Sequence, residues 1–300
     1  MWKLLIFTLS LRIKKYFNCM LYFFVSLVLY KYRKKALNKI QQIQLIQIPN
    51  FRKTLIFNYS CLPKRQATKI PILIYGNPKF AGLNGNIEIV GEVKFGMIKW
   101  GWDIGYRTTG NGIIRIDGIL KLKNCKEGFI HKGVDLNLDK KAILELGNNF
   151  WFGENVMIFC IHRIVMGDNV RITYQSQVLD TDFHYTINLK NKSIKPRFEK
   201  IEIGSNIWIG NRCTIKKGSV IPDNTIIAAS YSVLCKNYSE IPPYSILGGC
   251  PAKVIASGIA RTYGKDTLSE IEKLDLRFLD GNDKKYIIIE NDDEIRNFLR

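Results

Sequence analysis

The stretch "IEIGSNIWIGNRCTIKKGSVIPDNTIIAASYSVL", residues 201–234, carries an aliphatic residue at every sixth position. These positions are Ile203, Ile209, Ile215, Ile221, Ile227 and Val233. A helical face recurs about every 3.6 residues and a half-buried strand about every two, so neither period explains one fixed aliphatic in six. The glycine, proline, asparagine and β-branched residues of the segment also disfavour a helix. The spacing predicts a solenoid in which one aliphatic residue points inward from each side of a coil.

The repeat extends upstream of this stretch. Leu146, Phe152, Ile158 and Ile164 keep the same step, and after a shift of two residues Met166, Ile172 and Val178 continue it. The next position in phase is His184, where the pattern stops. Residues 184–200, "HYTINLKNKSIKPRFEK", are polar, basic and aperiodic, which predicts a loop that leaves the solenoid. Before residue 146, "NIEIVGEVKFG" and "GIIRIDGILKLK" predict further rungs, whose register stays open.

Residues 80–261 resemble the hexapeptide-repeat acyltransferases, in particular the branch that modifies sugars of surface polysaccharides. The resemblance rests on the rungs, on the loop headed by "DTDFH" and on the terminal "IPPYSILGGCPAKVI" at 241–255. It implies a mainly β protein, a left-handed parallel β-helix, that uses acetyl-coenzyme A as acyl donor and assembles as a homotrimer. The implied acceptor is a sugar hydroxyl or amine, on a soluble or lipid-linked glycan.

Acyl transfer to a hydroxyl needs a base for the alcohol proton and hydrogen-bond donors for the oxyanion. The chain has three histidines, at 131, 162 and 184. His184 heads the predicted loop and matches the loop histidine that acts as general base in the family. Asp182 is expected to fix the tautomer of that imidazole, a role that Asp180 could also fill. His162 lies beside the two-residue shift and is expected at the rim of a coil. No motif for a covalent acyl-enzyme is visible, so the resemblance implies direct transfer in a ternary complex.

The resemblance also implies which residues hold coenzyme A in a groove between neighbouring solenoids. Matched by motif, these are Trp208, Asn211, Ala229, Lys236 and Lys253. The sequence departs from the usual pattern at Tyr231, where a small residue is expected, and the alignment around Lys236 is uncertain by one residue. No metal-ligand cluster is visible, and seven cysteines without CxxC spacing predict reduced thiols.

Residues 1–70 hold 14 Lys and Arg and no acidic residue, of a net charge of +19 for the chain. Their apolar runs, 4–11 and 19–30, are shorter than the roughly 20 residues that span a bilayer. Such a basic, apolar segment predicts helices lying on the inner face of an anionic cytoplasmic membrane, and hence a cytoplasmic protein with peripheral attachment. The alternatives are a helix packed on the body and a hairpin that dips into the membrane. Nucleic acid is not expected as a partner.

Three domains follow: an N-terminal segment at 1–70, the β-helix at 71–261 with its loop at 184–200, and a C-terminal cap at 262–300. The cap is read from helical spacing in "LSEIEKLDLRFLD" and from a strand and short helix in "YIIIENDDEIRNFLR". Such a small α/β cap would cover the last rung of the solenoid, which would otherwise be unpaired.

Two other functions share this fold. A non-catalytic scaffold at a membrane surface would keep the rungs but would not need the loop histidine. A nucleotidyltransferase-linked or serine-acetyltransferase-like enzyme would add a glycine-rich nucleotide loop or an acidic helical domain before the repeats, and neither is visible. The sequence therefore favours an acetyltransferase that acts on a sugar.

Overall fold

The structure is a computed structural model that describes residues 47–103, 110–262, 275, 278, 289 and 291–299. The chain divides into two compact units, Met1–Ile48 and Pro49–Arg300. Apart from residues 47 and 48, every described residue belongs to the second unit. Residues 1–46 of the predicted membrane-interface segment lie outside the described residues, as does most of the predicted cap.

The described helices are α1 (Phe51–Cys61), α2 (Lys64–Ala67) and α3 (Asp292–Leu299). The described strands are β1 (Ile72–Ile74), β2 (Lys79–Gly82), β3 (Asn86–Val90), β4 (Ile98–Trp102), β5 (Ile113–Ile116), β6 (Ile119–Lys123), β7 (Gly128–His131), β8 (Asp135–Leu138), β9 (Ile143–Leu146), β10 (Phe150–Phe152), β11 (Met157–Cys160), β12 (Arg163–Met166), β13 (Arg171–Ile172), β14 (Gln177–Leu179), β15 (Ile187–Asn188), β16 (Ser193–Ile194), β17 (Ile201–Ile203), β18 (Trp208–Ile209), β19 (Thr214–Lys216), β20 (Val220–Ile221), β21 (Ile226–Ile227), β22 (Val233–Leu234), β23 (Ile246–Gly248) and β24 (Lys253–Ala256). Within these residues, every helix is too short or too polar to cross a bilayer.

The strands form three parallel sheets, which are the three faces of a solenoid. The first face runs β1-β4-β7-β10-β13-β18-β21-β23 and ends in β24, which pairs antiparallel with β23. The second runs β2-β5-β8-β11-β14-β19-β22, and the third runs β3-β6-β9-β12-β17-β20. Apart from the β15-β16 pair and the terminal β23-β24 pair, successive strands along the chain belong to different faces, so each complete coil contributes one strand to each sheet. The predicted fold class, a mainly β, left-handed parallel β-helix, is confirmed.

The six-residue repeat marks the inward residues with one exception. Ile203, Ile209, Ile215, Ile221 and Ile227 are all buried. Val233 is only partly buried, and Leu234 takes the inward place opposite Ile215. The prediction for Val233 is wrong because the corner before it holds one residue more than the preceding corners. Ser230 and Tyr231 both have positive φ there, at 68° and 69°.

The two-residue shift upstream has a simple structural cause. Ile164 and Met166 are both buried and both point inward from the same strand, β12. They stack on Leu144 and Leu146 of β9. The third face is therefore wide enough for two inward residues in these coils. The runs before residue 146 are also rungs, since β3 pairs in parallel with β6, and β6 with β9.

An asparagine ladder runs along the corner between the third and first faces. The side-chain amide of Asn149 donates to Asn169 (2.8 Å), that of Asn169 to Asn206 (2.8 Å) and that of Asn206 to Asn224 (3.0 Å). All four have φ between 55° and 58°, a left-handed conformation that asparagine tolerates better than most residues. Each is the last residue of a "GNN", "GDN", "GSN" or "PDN" tripeptide, so the ladder has a sequence signature that the six-residue spacing of aliphatic residues did not reveal.

Helix α1 covers the edge strand β1 at the start of the solenoid. Asn58 donates to the carbonyl of Ile72 (2.7 Å) and accepts from its N–H (3.2 Å), and Thr54 Oγ1 accepts from the N–H of Ile74 (2.9 Å). Phe57 is fully buried, with its ring 5.5 Å from that of Trp100. These contacts satisfy backbone groups that an open sheet edge would leave unpaired. For residues 51–61, the structure therefore shows a helix packed on the body.

Candidate functional site

The loop leaves the solenoid after β14 on the second face and rejoins it at β17 on the third. The excursion covers residues 180–200 and so begins slightly before the predicted 184–200. Inside it, β15 and β16 form a short antiparallel hairpin in which Ile187 faces Ile194. The polar, aperiodic sequence did not predict this hairpin.

Asp180 fixes the start of the loop from inside the protein. Its buried carboxylate accepts three backbone N–H groups of the preceding coil, from Ile161 (2.9 Å), His162 (2.8 Å) and Arg163 (2.9 Å). A carboxylate that accepts three backbone N–H groups is occupied by these charge-assisted hydrogen bonds. Asp180 therefore holds the corner of a coil.

Asp182 is bound by two lysines. Its carboxylate lies 2.8 Å from Lys217 Nζ and 3.3 Å from Lys216 Nζ. The hydrogen bond from Lys217, with the charge of Lys216 beside it, lowers the pKa of Asp182. Among the described contacts, the side chain of Asp182 has no hydrogen bond to His184. The expected tautomer-fixing bond is thus not formed within this chain, because both carboxylate oxygens face ammonium groups.

His184 is exposed at the head of the loop. The backbone N–H of His184 donates to the backbone carbonyl of Asp182 (2.7 Å), and Phe183 before it has a φ of 62°. This tight turn directs the chain outward. Tyr185 and Ile187, which follow, are 61% and 56% exposed. The His184 side chain is therefore accessible from solvent.

The rings of the other two histidines pack against aromatic side chains of the protein. His131 is buried, Nδ1 lies 3.1 Å from the carbonyl of Trp102, and the ring packs 4.4 Å from that of Trp151. Burial lowers the pKa of His131 to about 4. His162 is exposed at a coil corner, where its ring contacts Phe198 at 5.2 Å.

The residues matched to the donor groove fall on different parts of one solenoid. Trp208 lies on the first face, where Arg261 stacks over its ring at 5.4 Å. Asn211 and Ala229 lie at the corner between the first and second faces, where Asn211 donates to Tyr174 Oη (3.1 Å). Lys236 follows β22, and Lys253 begins β24. The structure does not bring these five residues into one pocket of a single chain.

A cleft of about 540 Å³ lies at the base of the loop. It is lined by Asp182, Lys195, Pro196, Phe198, Glu199, Lys216, Lys217 and Cys235. The hexapeptide reading missed Lys216 and Lys217, although the adjacent pair "KK" directly after the inward Ile215 was a usable signal.

The six described cysteines are free, and four of them, at 61, 125, 160 and 213, are buried. Burial raises the pKa of Cys61 and of Cys125 to about 12 and that of Cys213 to about 11, and it raises the pKa of Cys160 as well. These thiols stay protonated at neutral pH and are poor nucleophiles.

The chain is similar in sequence to two putative acetyltransferases, each over just under half of this chain. It is 27% identical over 154 residues to a putative lipopolysaccharide biosynthesis O-acetyl transferase, WbbJ, of Escherichia coli K12, covering 47% of this chain and 74% of WbbJ. The chain is therefore similar in sequence to an O-acetyl transferase. It is also 28% identical over 134 residues to a putative acetyltransferase, YJL218W, of Saccharomyces cerevisiae, covering 45% of this chain and 65% of that protein.

Among solved structures, the chain is similar to NeuO, a polysialic acid-specific acetyltransferase. That similarity has a TM-score of 0.44 and 18% sequence identity, and it covers 70% of this chain and 84% of NeuO. No family model matches the chain.

Proposed function

We propose that this protein transfers an acetyl group from acetyl-coenzyme A to a hydroxyl or amine of a sugar, with His184 as general base. The observation that carries the proposal is the placement of His184, an exposed imidazole on a loop that is anchored at its base. It is supported by the similarity to WbbJ, whose name places that protein in lipopolysaccharide biosynthesis.

In this mechanism a neutral His184 takes the proton of the acceptor hydroxyl while its oxygen attacks the acetyl carbonyl. A neutral imidazole accepts a proton through its unprotonated ring nitrogen. The tetrahedral intermediate collapses when the C–S bond breaks, and the imidazolium returns the proton to the departing sulfur of coenzyme A. Two N–H or cationic groups of the neighbouring coil would stabilise the oxyanion.

The donor would lie along the solenoid, held by the residues matched to the family groove. Ala229 and Lys236 are exposed at corners, and Lys253 is exposed beside the first face. Lysine ammonium groups suit the phosphates of coenzyme A. Trp208 and Asn211 would contact the pantetheine arm.

We further propose that the site is shared between subunits of a homotrimer. His184 is exposed on the loop, and the donor residues of one chain lie on several sides of the solenoid. A neighbouring copy would bring a groove to His184. The acceptor would be a sugar or a lipid-linked glycan. If the glycan is linked to a lipid, the basic residues of 1–70 would hold the protein at the cytoplasmic membrane that carries it.

The direct test is His184→Ala, with Tyr185→Phe as the matched control in the same loop. We expect His184→Ala to lower the rate of acetyl transfer by about 10² to 10⁴, the usual contribution of a general base. Acetyl-coenzyme A binding, measured by calorimetry, should remain, and Tyr185→Phe should retain the wild-type rate. The readout is release of free thiol with a panel of sugar acceptors.

Two outcomes would contradict the proposal. Equal rates for wild type and His184→Ala would remove His184 from the mechanism. Failure of the wild-type protein to bind acetyl-coenzyme A would favour a non-catalytic solenoid.

A further inference from the structure

The base of the loop rests on one corner of the next coil, at residues 216–219. Lys216 of β19 pairs in register with Leu179, the last residue of β14 before the loop begins. At the far end of the loop, the N–H of Gly218 donates to the carbonyl of Lys200 (3.2 Å). Gly218 has a φ of 75°, and a Cβ there would lie 2.7 Å from a carboxylate oxygen of Glu199. This corner therefore touches both the outgoing leg of the loop, residues 180–183, and the returning leg, residues 196–200.

Lys217 joins the two legs through a single ammonium group. Its Nζ lies 2.8 Å from the carboxylate of Asp182 on the outgoing leg. The same Nζ donates to the carbonyl of Pro196 on the returning leg (2.7 Å). A lysine ammonium carries three donors and no acceptor, so one group can satisfy both acceptors at once. Of the two acceptors, Asp182 and Pro196, Lys216 contacts only Asp182. The side chain of Lys216 is 43% exposed, against 21% for that of Lys217.

The legs also hold each other close to this point. The N–H of Asp182 donates to the carbonyl of Arg197 (2.8 Å), and Thr181 forms an isolated antiparallel bridge with Phe198. Among the described contacts, His184 makes only its backbone hydrogen bond to Asp182, and the carbonyl of Phe183 before it accepts from the Arg197 side chain of the returning leg (3.4 Å). The position of His184 is therefore set by the legs.

We infer that Lys217 is a positioning residue for His184, because it ties the two legs of the catalytic loop to the solenoid. This inference rests on the proposed function of His184. A general base must lie within hydrogen-bond reach of the proton it removes, and a misplacement of about 1 Å can cost about 10²-fold in rate. Asp182 then contributes as the acceptor of the tie and not as a partner of the imidazole.

The test compares the full-length variants Lys217→Met and Lys200→Met. Lys200 is the matched control, since it lies at the same loop base but pairs with Glu202 (2.9 Å) on the solenoid. We expect Lys217→Met to lower kcat about tenfold or more with KM for acetyl-coenzyme A within about threefold, while Lys200→Met keeps both. Lys217→Arg, which keeps a cation with several donors, should recover most of the lost kcat.

A second readout does not depend on activity. Limited digestion with trypsin, with fragments identified by mass, reports cleavage after Lys190, Lys192 and Arg197 in the loop. Lys217→Met should raise the rate of this cleavage several-fold, and Lys200→Met should not. If Lys217→Met does not fold, Asp182→Leu removes the acceptor of the same tie with a side chain of similar size and should show the same increase.

The outcomes separate the two claims. If Lys217→Met raises the rate of loop cleavage but the wild-type protein transfers no acetyl group, the tie is supported and the proposed function is refuted. Unchanged cleavage and unchanged kcat in Lys217→Met would overturn the positioning role, even if His184→Ala is inactive.

Discussion

At the scale of single residues, Glu145 shows how a charge is kept inside the wall of the solenoid. Its carboxylate is only 4% exposed and is bound by Lys123 and Arg163, whose side chains reach it from the surface. The hydrogen bond from Lys123, with the charge of Arg163, lowers the pKa of Glu145 although burial opposes this. Residues 123, 145 and 163 come from three successive coils, so this ion pair network links β6, β9 and β12.

Glu145→Gln should lower the free energy of unfolding by about 2 kcal/mol at pH 7, as expected when a buried hydrogen bond to a charged group is lost. Because the pKa of Glu145 is lower in the folded state, its stabilisation is complete above the ordinary pKa of about 4.3 and is lost as the pH falls through the folded value. Urea unfolding of both proteins at pH 7 and at decreasing pH below 4.3 should show the difference shrink.

The control is Glu202→Gln, which breaks the exposed pair with Lys200 and should cost less than about 0.5 kcal/mol. A gap between wild type and Glu145→Gln that stays constant down to low pH would contradict the assignment of this stability to the charged carboxylate.

At the scale of elements, the corners decide how well the sequence predicts the structure. The sides of the coils follow from the aliphatic spacing, because an inward position has one physical requirement, burial. The corners have several solutions, and Ser230 and Tyr231 fill one of them with an extra residue in left-handed conformation. That single residue moves the inward place from Val233 to Leu234.

The candidate site divides in the same way. His184 could be found from sequence, because it stands where the repeat stops. The partners of Asp182 could not, because Lys217 is 35 positions away in the sequence and meets it only through the stacking of one coil on the next. The role expected for Asp182 therefore rested on its closeness to His184 along the chain, whereas the lysines of the next coil take its carboxylate.

The asparagine ladder predicts which corner substitutions are costly. Asn169 gives and receives one side-chain hydrogen bond and has a φ of 56°. Asn169→Gly should destabilise through the two lost bonds, by about 2 kcal/mol. Asn169→Ala loses the same bonds and adds the strain of a Cβ in left-handed conformation, about 1–2 kcal/mol more. Urea unfolding of both variants measures the difference.

The comparison between alanine and glycine is itself the control, since both remove the amide. Equal stability of the two variants would show that the corner relaxes to another conformation. A wild-type stability for Asn169→Gly would show that the ladder contributes nothing to the fold.

At the scale of the whole molecule, a β-helix leaves its ends and its outward faces to be covered. Helix α1 covers the first edge through Thr54 and Asn58, and Phe298 of α3 is also buried. The loop hairpin is different, since Ile187, Leu189 and Ile194 are each more than half exposed. Together with the outward position of His184, this exposure is the reason to expect a second copy at the loop.

If the site is shared, two inactive variants should restore each other's activity in mixed trimers. His184→Ala keeps the groove, whereas Ala229→Trp is expected to fill the groove and to keep the base, since Ala229 is exposed and outside the core. In a ring of identical contacts, each interface joins one copy of each half-site. When equal amounts are unfolded together and refolded, about one site in four should combine an intact loop with an intact groove. The mixture should therefore regain about a quarter of the wild-type rate, while each variant refolded alone stays inactive. A mixture as inactive as its components, although light scattering shows mixed trimers, would place base and groove in the same subunit.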